Sequence, residues 1–132
     1  MCIFCKIIAG EIPSYKIYED ENFLAILDRY PGTAGTVLIL TKRHAPHIFD
    51  LNETEAAGMM PLAQRIATKI RDELAPAGLN ILQNNGPAAG QEIFHYHMHI
   101  IPRYSGDAIR FKKPPTDPSL DELSTIAARL EL

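Results

Sequence analysis

Short apolar stretches separated by polar residues predict five β-strands, and a longer segment with apolar residues every three or four positions predicts one long helix. The strands are predicted from "YKIYED", "NFLAILD", "TVLILT", "LNILQN" and "IFHYHMHIIPR", the last of which is stopped by Pro102. The polar "EDEN" between the first two predicts a hairpin turn. Because the long helix falls between the third and fourth strands, the pattern indicates a mainly antiparallel α+β domain.

The long helix is predicted over residues 50–75, where Asn52 and Glu55 have the spacing of a capping box at its start. A shorter helix is predicted over residues 3–10, with Gly10 at its end. The side of the long helix that faces the core is expected to carry the apolar residues Met59, Leu62, Ala63, Ile66, Ile70 and Leu74.

Proline and glycine mark the expected helix boundaries. Pro61 removes a main-chain donor and predicts a kink or a broken first turn, whereas Pro76 and Gly78 are expected to close the long helix. A C-terminal helix is predicted with Asp117 at its cap and Pro118 at its first position. Its buried stripe is expected to consist of Leu120, Leu123, Ile126, Ala127 and Leu130.

Length and composition set the broad class of protein. At 132 residues, with 46% hydrophobic and 22% charged residues, the chain is expected to form one globular domain over residues 1–132. The formal net charge of −3 offers no basic excess to nucleic acid, and no apolar run is long enough to cross a membrane. The N-terminal sequence lacks the pattern of a secretory signal, so we expect a cytoplasmic protein with reduced Cys2 and Cys5.

Three of the five histidines, His95, His97 and His99, alternate with apolar residues in "HYHMHII". On a strand such positions share one face, with neighbouring imidazoles roughly 7 Å apart. Two chemistries suit that row. Imidazole is a common zinc ligand, and it is also a nucleophile near neutral pH when a neighbouring group fixes its tautomer. A polar sheet face that happens to carry histidine is the simpler alternative.

The loop "NNGPAAGQ" immediately precedes the predicted fifth strand. Its glycines let main-chain N–H groups approach an anion closely, and Asn84 and Gln91 add side-chain donors. A plain hairpin turn would explain the same residues if they stood alone. Beside a row of imidazoles, however, the loop favours phosphoryl chemistry over a three-histidine metal site.

Taken together, these motifs resemble the histidine-triad (HIT) family, and in particular its Hint-type bacterial branch. The resemblance rests on "CIFCKIIAGEIPS", "YEDENFLAILD" and "GLNILQNNGPAAGQEIFHYHMHIIPRY", and it covers most of the chain. It implies a HIT-like fold whose five-stranded sheet joins that of a second copy in a homodimer. It also implies a hydrolase or transferase acting on purine nucleoside 5′-phosphoramidates of the AMP–amine or AMP–lysine type.

The resemblance also implies roles for individual residues. His97 would attack the α-phosphorus to form a nucleotidyl-histidine intermediate, His99 would donate to the phosphate oxygens, and His95 would orient the nucleophile. Asp28 would accept hydrogen bonds from the ribose hydroxyls, although without the family it is better interpreted as a turn residue at a strand end. The other nucleotide-binding residues would be Asn84, Gln91, Glu92 and an apolar base slot of Ile3, Phe4, Ile7 and Ile26.

The chain departs from the family pattern at three positions. Thr36 stands where many relatives have a histidine near the triad, and Thr41 replaces a proline. Glu92 replaces a serine or threonine that would contact the leaving group. A carboxylate at that position would either repel phosphate or hold the proton that a departing amine needs, so the departures bear on leaving-group preference and rate.

Cys2 and Cys5 form a C-x-x-C pair at the N-terminus. A redox motif of this type follows a strand, and none is predicted here, while a metal site needs two further ligands. The resemblance implies a structural Cys2His2 zinc site completed by His44 and His95, which would tie the N-terminal segment, residues 1–14, to the sheet. Residues 103–132 would form a C-terminal loop and helix of the same domain. Two reduced cysteines packed as small apolar residues are the alternative.

Three other functions compete with the phosphoramidase. A dinucleoside polyphosphate hydrolase would use the same nucleophile on a different leaving group. A nucleotide-binding interaction module would bind without turnover, with Thr36 and Glu92 as marks of lost catalysis. A purely structural zinc protein would leave Asn84 and Asp28 without a role.

Overall fold

The computed structural model describes residues 2–111 and 113–132 and confirms the α+β class. Its five strands form one antiparallel sheet in the order β1-β2-β3-β5-β4. In chain order the elements are α1 (Ile3–Ile8), β1 (Lys16–Glu19), β2 (Phe23–Leu27), β3 (Val37–Thr41), a 3-10 turn (Ile48–Asp50), α2 (Glu53–Leu74), β4 (Gly78–Leu82), a 3-10 turn (Pro87–Ala89), β5 (His97–Arg103) and α3 (Leu120–Leu130).

The two faces of the sheet have different coverings. On one face, α2 contributes Met59, Leu62 and Ile66 to a core that also contains Met98 and Ile100 of β5. On the other face, a smaller apolar cluster contains Phe4 of α1 together with Leu24, Ile26, Leu38 and Leu40. His97 and His99 pair across the sheet with Leu40 and Leu38, so their side chains lie on this second face. The short helix α1 therefore packs on the same side as the histidines.

The start of α2 and its end just before Pro76 match the prediction, but the expected break at Pro61 and the role given to Gly78 do not. Asn52 and Glu55 form the capping box, with the Asn52 Oδ1 accepting from the Glu55 amide at 2.8 Å. The helix continues through Pro61 with its first turn intact, so the predicted broken turn is wrong. It ends at Leu74, and the left-handed conformation that glycine favours is taken by Ala75, at φ 46°. Gly78 instead begins β4, so it does not close the helix.

The fifth strand differs from the prediction at both ends. His95 lies before its first residue, so the three histidines do not share one regular strand. Pro102 lies within the strand, paired with Leu79 of β4. Its carbonyl points away from β4 and accepts the Thr33 hydroxyl at 2.6 Å. The N–H and C=O of a strand residue point to the same side. The N–H that Pro102 lacks would therefore point toward β3, which no longer pairs with β5 at this position, so no hydrogen bond between the strands is lost.

The C-terminal helix begins later than predicted and buries none of its apolar stripe. Ser119, and not Asp117, is its N-cap, and its hydroxyl accepts from the Glu122 amide at 3.1 Å. Leu123 and Ile126 remain 49% and 50% exposed, and every residue of the helix is exposed in the single chain. The helical periodicity is present, but nothing among the described residues covers its apolar side.

Candidate active site and metal centre

A cavity of about 1040 Å³ opens on the sheet face that carries α1. Its walls come from α1, the end of β2, the loop before β5, and β5 itself. Of the residues expected to act on a nucleotide, only His95 and Gln91 lie outside these walls. Those that line it are Ile3, Phe4, Ile7, Ile26, Asp28, Asn84, Glu92, His97 and His99.

His97 has one ring nitrogen engaged by the main chain. Its Nδ1 lies 2.7 Å from the carbonyl oxygen of His95, and a carbonyl can only accept, so Nδ1 carries the proton. Burial lowers the pKa of His97, although this hydrogen bond and the charge of Asp28 oppose the shift. The neutral imidazole therefore has its lone pair on Nε2. Phe4 packs against the ring edge to face, with centroids 4.9 Å apart, and restricts its orientation.

His99 lies beside His97 on the cavity wall. Their ring centroids are 4.9 Å apart and their ring planes are inclined at 60° to each other. Burial, reinforced by the neighbouring His97, lowers the pKa of His99, whereas the charge of Asp28 raises it. Two adjacent imidazoles are thus available to one bound group, and Asp28 acts electrostatically on both.

His95 is turned away from the cavity and is fully buried. Its Nε2 lies 2.6 Å from the carbonyl oxygen of Thr41, so Nε2 donates and the lone pair is on Nδ1. Burial lowers the pKa of His95, which favours this neutral form. Because the acceptor is a main-chain oxygen, the side chain at position 41 does not itself make the contact.

The Nδ1 of His95 lies in a cluster with the side chains of Cys2, Cys5 and His44. All four candidate ligand atoms are within 4.8 Å of one another. The His95 Nδ1 is 3.5 Å from each cysteine sulfur and 3.2 Å from the His44 Nδ1, which is itself 3.3 Å from the Cys5 sulfur. In a tetrahedral zinc site, Zn–S and Zn–N bonds of about 2.3 and 2.0 Å put ligand atoms about 3.3 to 3.8 Å apart. The four residues therefore fit a metal ion.

Local structure brings these four ligands together. Cys2 is the N-cap of α1, and the amide of Cys5 lies 3.5 Å from its sulfur, so the first turn of the helix sets the two thiols side by side. Burial and the neighbouring Cys2 raise the pKa of the Cys5 thiol. A bound cation would reverse that preference by stabilising the thiolate.

The loop before β5 is held by Gln91. Its Oε1 accepts from the Gly86 amide at 2.7 Å, and its Nε2 donates to the carbonyls of Pro46 and Ile93 at 2.8 and 3.1 Å. Asn84 lies on the cavity wall and donates to the Gly90 carbonyl at 3.3 Å. Gln91, by contrast, is buried and supports the loop from behind.

Thr36 lies outside the walls of the cavity. Its buried hydroxyl donates to the Thr33 carbonyl at 3.0 Å, next to the contact between Thr33 and Pro102. Thr36, which stands where many relatives have a histidine, is therefore part of the loop that leads into β3.

Residues 9–106 match the HIT domain family. The chain belongs to this family. Its sequence is 53% identical over 103 residues to the protein called hit of Bacillus subtilis, an alignment that covers 78% of this chain and 71% of that relative. The family assignment made from the sequence is thus confirmed.

Two solved structures resemble this HIT protein closely. A zinc-bound histidine triad family protein from Mycobacterium smegmatis is 41% identical, with a TM-score of 0.77 over 98% of this chain and 95% of that one. A histidine triad nucleotide-binding protein from Candida albicans is 31% identical, with a TM-score of 0.89 over 99% and 95% of the two chains. Both likenesses extend over nearly the whole HIT protein.

Several residues of the cavity wall were not predicted from the sequence. Ser14 and Tyr15 come from the segment between α1 and β1, and Arg29 and Tyr30 follow β2. Arg29 stacks over the Tyr30 ring at 5.0 Å. These positions belong to no motif, so the sequence alone did not point to them. In the structure, Tyr15 and Tyr30 are 76% and 84% exposed.

Within the described chain, no helix is both long enough and apolar enough to span a membrane.

Proposed function

We propose that this HIT protein hydrolyses the P–N bond of purine nucleoside 5′-phosphoramidates of the AMP–amine or AMP–lysine type. The observation that carries the proposal is the state of His97. Its Nδ1 proton is held by the His95 carbonyl, while its Nε2 carries the lone pair on a residue of the cavity wall. A neutral, oriented imidazole is the form that attacks phosphorus.

The reaction divides into two displacements. First, the His97 Nε2 forms a bond to the α-phosphorus as the P–N bond breaks; the electron pair leaves with the amine nitrogen, which takes a proton from water. Second, water attacks the same phosphorus, the P–Nε2 bond breaks, and its electron pair returns to the imidazole while a proton is released. In the net reaction, one phosphoramidate and one water are converted to AMP and an amine.

The remaining groups of the site support this chemistry. His99, with its ring 4.9 Å from that of His97, would donate to the phosphate oxygens as charge develops on them. His95 would act through its carbonyl by keeping the proton of His97 on Nδ1. Asn84 would assist from the loop, where its amide is on the cavity wall.

The nucleoside would occupy the part of the cavity between α1 and the end of β2. Ile3, Phe4, Ile7 and Ile26 would form an apolar slot for the purine. Asp28, half-buried at the end of β2, would accept hydrogen bonds from the ribose hydroxyls. Gln91 would contribute indirectly, by holding the loop that carries Asn84. The nucleotide-binding relative from Candida albicans supports the ligand class.

Zinc is the metal we propose for Cys2, Cys5, His44 and His95. Two sulfur and two imidazole ligands at tetrahedral spacing suit zinc, and a closed set of four leaves the ion no open position for substrate. The zinc-bound relative from Mycobacterium smegmatis supports the assignment. The ion would fix the N-terminus to the sheet and supply no step of the reaction. A reducing cytoplasm, the compartment we propose, would preserve the two thiolates.

A homodimer is the assembly we propose. An isolated helix of 11 residues is marginal in water, so α3 needs a packing partner for its exposed apolar side. A second copy would provide one, and β4, at the edge of the sheet, is a strand through which two sheets could join.

Rates of AMP release test the proposed activity. Adenosine 5′-phosphoramidate and a diadenosine polyphosphate would be compared as substrates for the wild type and His97→Ala. We expect faster turnover of the phosphoramidate, and loss of on the order of 10⁴-fold or more in the variant. Faster turnover of the diadenosine substrate would favour the polyphosphate hydrolase. Nucleotide binding without any turnover would favour an interaction module.

A further inference from the structure

A second hollow adjoins the cavity near α1. It has a volume of about 410 Å³. Ile3, Glu92 and Ile93 line both the hollow and the cavity, so the two spaces meet along these residues. The full lining of the hollow is Cys2, Ile3, His44, Glu92, Ile93 and Phe94.

Glu92 is the carboxylate at the junction of the two spaces. It is exposed, and it makes no ion pair with any residue in ranges 2–111 and 113–132. The other charged residues on the cavity wall, Asp28 and Arg29, are neighbours in the chain and have opposite signs. The charge of Glu92 therefore has no counterpart at its end of the cavity.

The apolar residues around Glu92 suit an aliphatic chain. Ile3, Ile93 and Phe94 line the hollow together with the carboxylate, and Phe94 is 45% exposed. An aromatic face next to a carboxylate favours a cation whose methylene groups need cover. Cys2 and His44, which line this hollow, are also proposed zinc ligands. With two thiolates against a divalent ion, the metal site would be neutral and would not repel such a group.

We propose that this hollow binds the leaving group and that Glu92 selects amines that carry a second positive charge, such as a diamine or polyamine. This inference rests on the proposed phosphoramidase function and assigns the leaving-group class. With the base in the slot on α1 and the ribose at Asp28, the amine on phosphorus extends past Glu92 into the hollow. Anionic leaving groups, including the nucleotide of a dinucleoside polyphosphate, meet the unbalanced carboxylate and are disfavoured.

A charge series of leaving groups tests the proposal. The substrates are adenosine 5′-phosphoramidates of 1,4-diaminobutane, n-pentylamine and 4-aminobutyrate, whose free ends are cationic, neutral and anionic. For the wild type, we expect kcat/KM to fall about three- to fivefold at each step of that series at low ionic strength, the size of an exposed ion pair. Added salt should bring both kcat/KM ratios, cationic to neutral and neutral to anionic, closer to one.

Substitutions at Glu92 supply the comparison. Glu92→Gln should bring both ratios close to one, and Glu92→Lys should reverse their order, an outcome that a purely structural role of Glu92 would not produce. Glu21→Gln, which removes an exposed carboxylate from the β1–β2 turn, should keep the wild-type ratios.

Two results would overturn the inference, and they differ. Equal hydrolysis of all three conjugates by the wild type would refute selection by Glu92 while leaving the phosphoramidase function in place. Failure to hydrolyse any of the three would refute the phosphoramidase function and the inference with it.

Discussion

The carbonyl of His95 accepts the Nδ1 proton of His97 at 2.7 Å, while the Nδ1 of the same His95 belongs to the metal cluster. The main chain of one residue therefore sets the tautomer of the proposed nucleophile, and its side chain is a candidate metal ligand. A third contact, from the His95 Nε2 to the Thr41 carbonyl at 2.6 Å, fixes the ring itself. The candidate metal site and the proposed active site are thus joined through His95.

Removal of one metal ligand should consequently affect catalysis from outside the cavity. His44→Ala is expected to lose bound zinc, to lower the melting temperature, and to reduce kcat about tenfold, the usual cost of disturbing groups around a metal site. His47→Ala, a histidine on the same loop but outside the cluster, is the matched control and should keep its zinc. Metal analysis and AMP-release kinetics would check this. A zinc-free His44→Ala protein with wild-type kcat would disprove the coupling.

Asp28 should determine how much the ribose hydroxyls contribute. Hydrogen bonds to a charged group contribute about 1.5–3 kcal/mol, so Asp28→Ala is expected to raise KM for an adenosine phosphoramidate about tenfold or more. A 2′,3′-dideoxy substrate provides the control, because it should cost the wild type a similar factor and cost Asp28→Ala almost nothing further. If the variant stays sensitive to removal of the hydroxyls, the ribose contacts another residue.

The ion pair of Arg103 and Asp107 should make stability depend on pH. The Arg103 guanidinium donates to both carboxylate oxygens at 2.9 and 2.7 Å and holds the pKa of Asp107 well below its usual range. Because the folded state binds the proton more weakly, this stabilisation is complete above the ordinary aspartate pKa of about 3.9 and is lost as pH falls below it.

Thermal unfolding of Asp107→Asn tests that sign. Its melting temperature should be below that of the wild type at pH 7, and the difference should narrow as the pH is lowered toward 3. Asp72→Asn, which alters an exposed pair with Arg71 on α2, should show little difference at either pH. A difference in melting temperature between the wild type and Asp107→Asn that grows as the pH falls would contradict the lowered pKa of Asp107.

The exposed side of α3 should govern association of two copies. Leu123→Asp and Ile126→Asp each place a charge on the apolar stripe, and we expect either to shift a dimer toward monomer in sedimentation experiments. Thr125→Asp, on the opposite side of the same helix, is the control and should remain dimeric. Wild-type protein that sediments as a monomer at all concentrations would refute the proposed homodimer.

Much of this molecule could be predicted from local pattern and family resemblance. The five strands, the Asn52–Glu55 capping box and the grouping of Cys2, Cys5, His44 and His95 all appear in the structure. The capping box is predictable because its two hydrogen bonds join residues only three positions apart. The candidate metal ligands lie up to 93 positions apart in the chain, and only the resemblance indicated that they meet.

The failures have a common physical origin in contacts that one segment cannot reveal. Pro102 is tolerated in β5 because β3 has already stopped pairing on that side, which depends on a distant strand. The stripe on α3 has helical spacing, but periodicity does not say whether the surface that covers it belongs to the same chain. His95 lies before β5, and its ring contacts Cys2 and Cys5, which are about 90 positions away in the chain.

A covalent nucleotidyl-His97 intermediate is the central claim, and rapid quenching with mass spectrometry tests it most directly. Protein mixed with excess adenosine 5′-phosphoramidate would be quenched in alkali within milliseconds and digested, and the peptide containing residues 95–99 would be sequenced. We predict an adenylyl group on His97 of the wild type and none on the same peptide from His97→Ala. AMP release at the wild-type rate with no adduct at any quench time, or an adduct on His95 or His99 instead, would contradict the account.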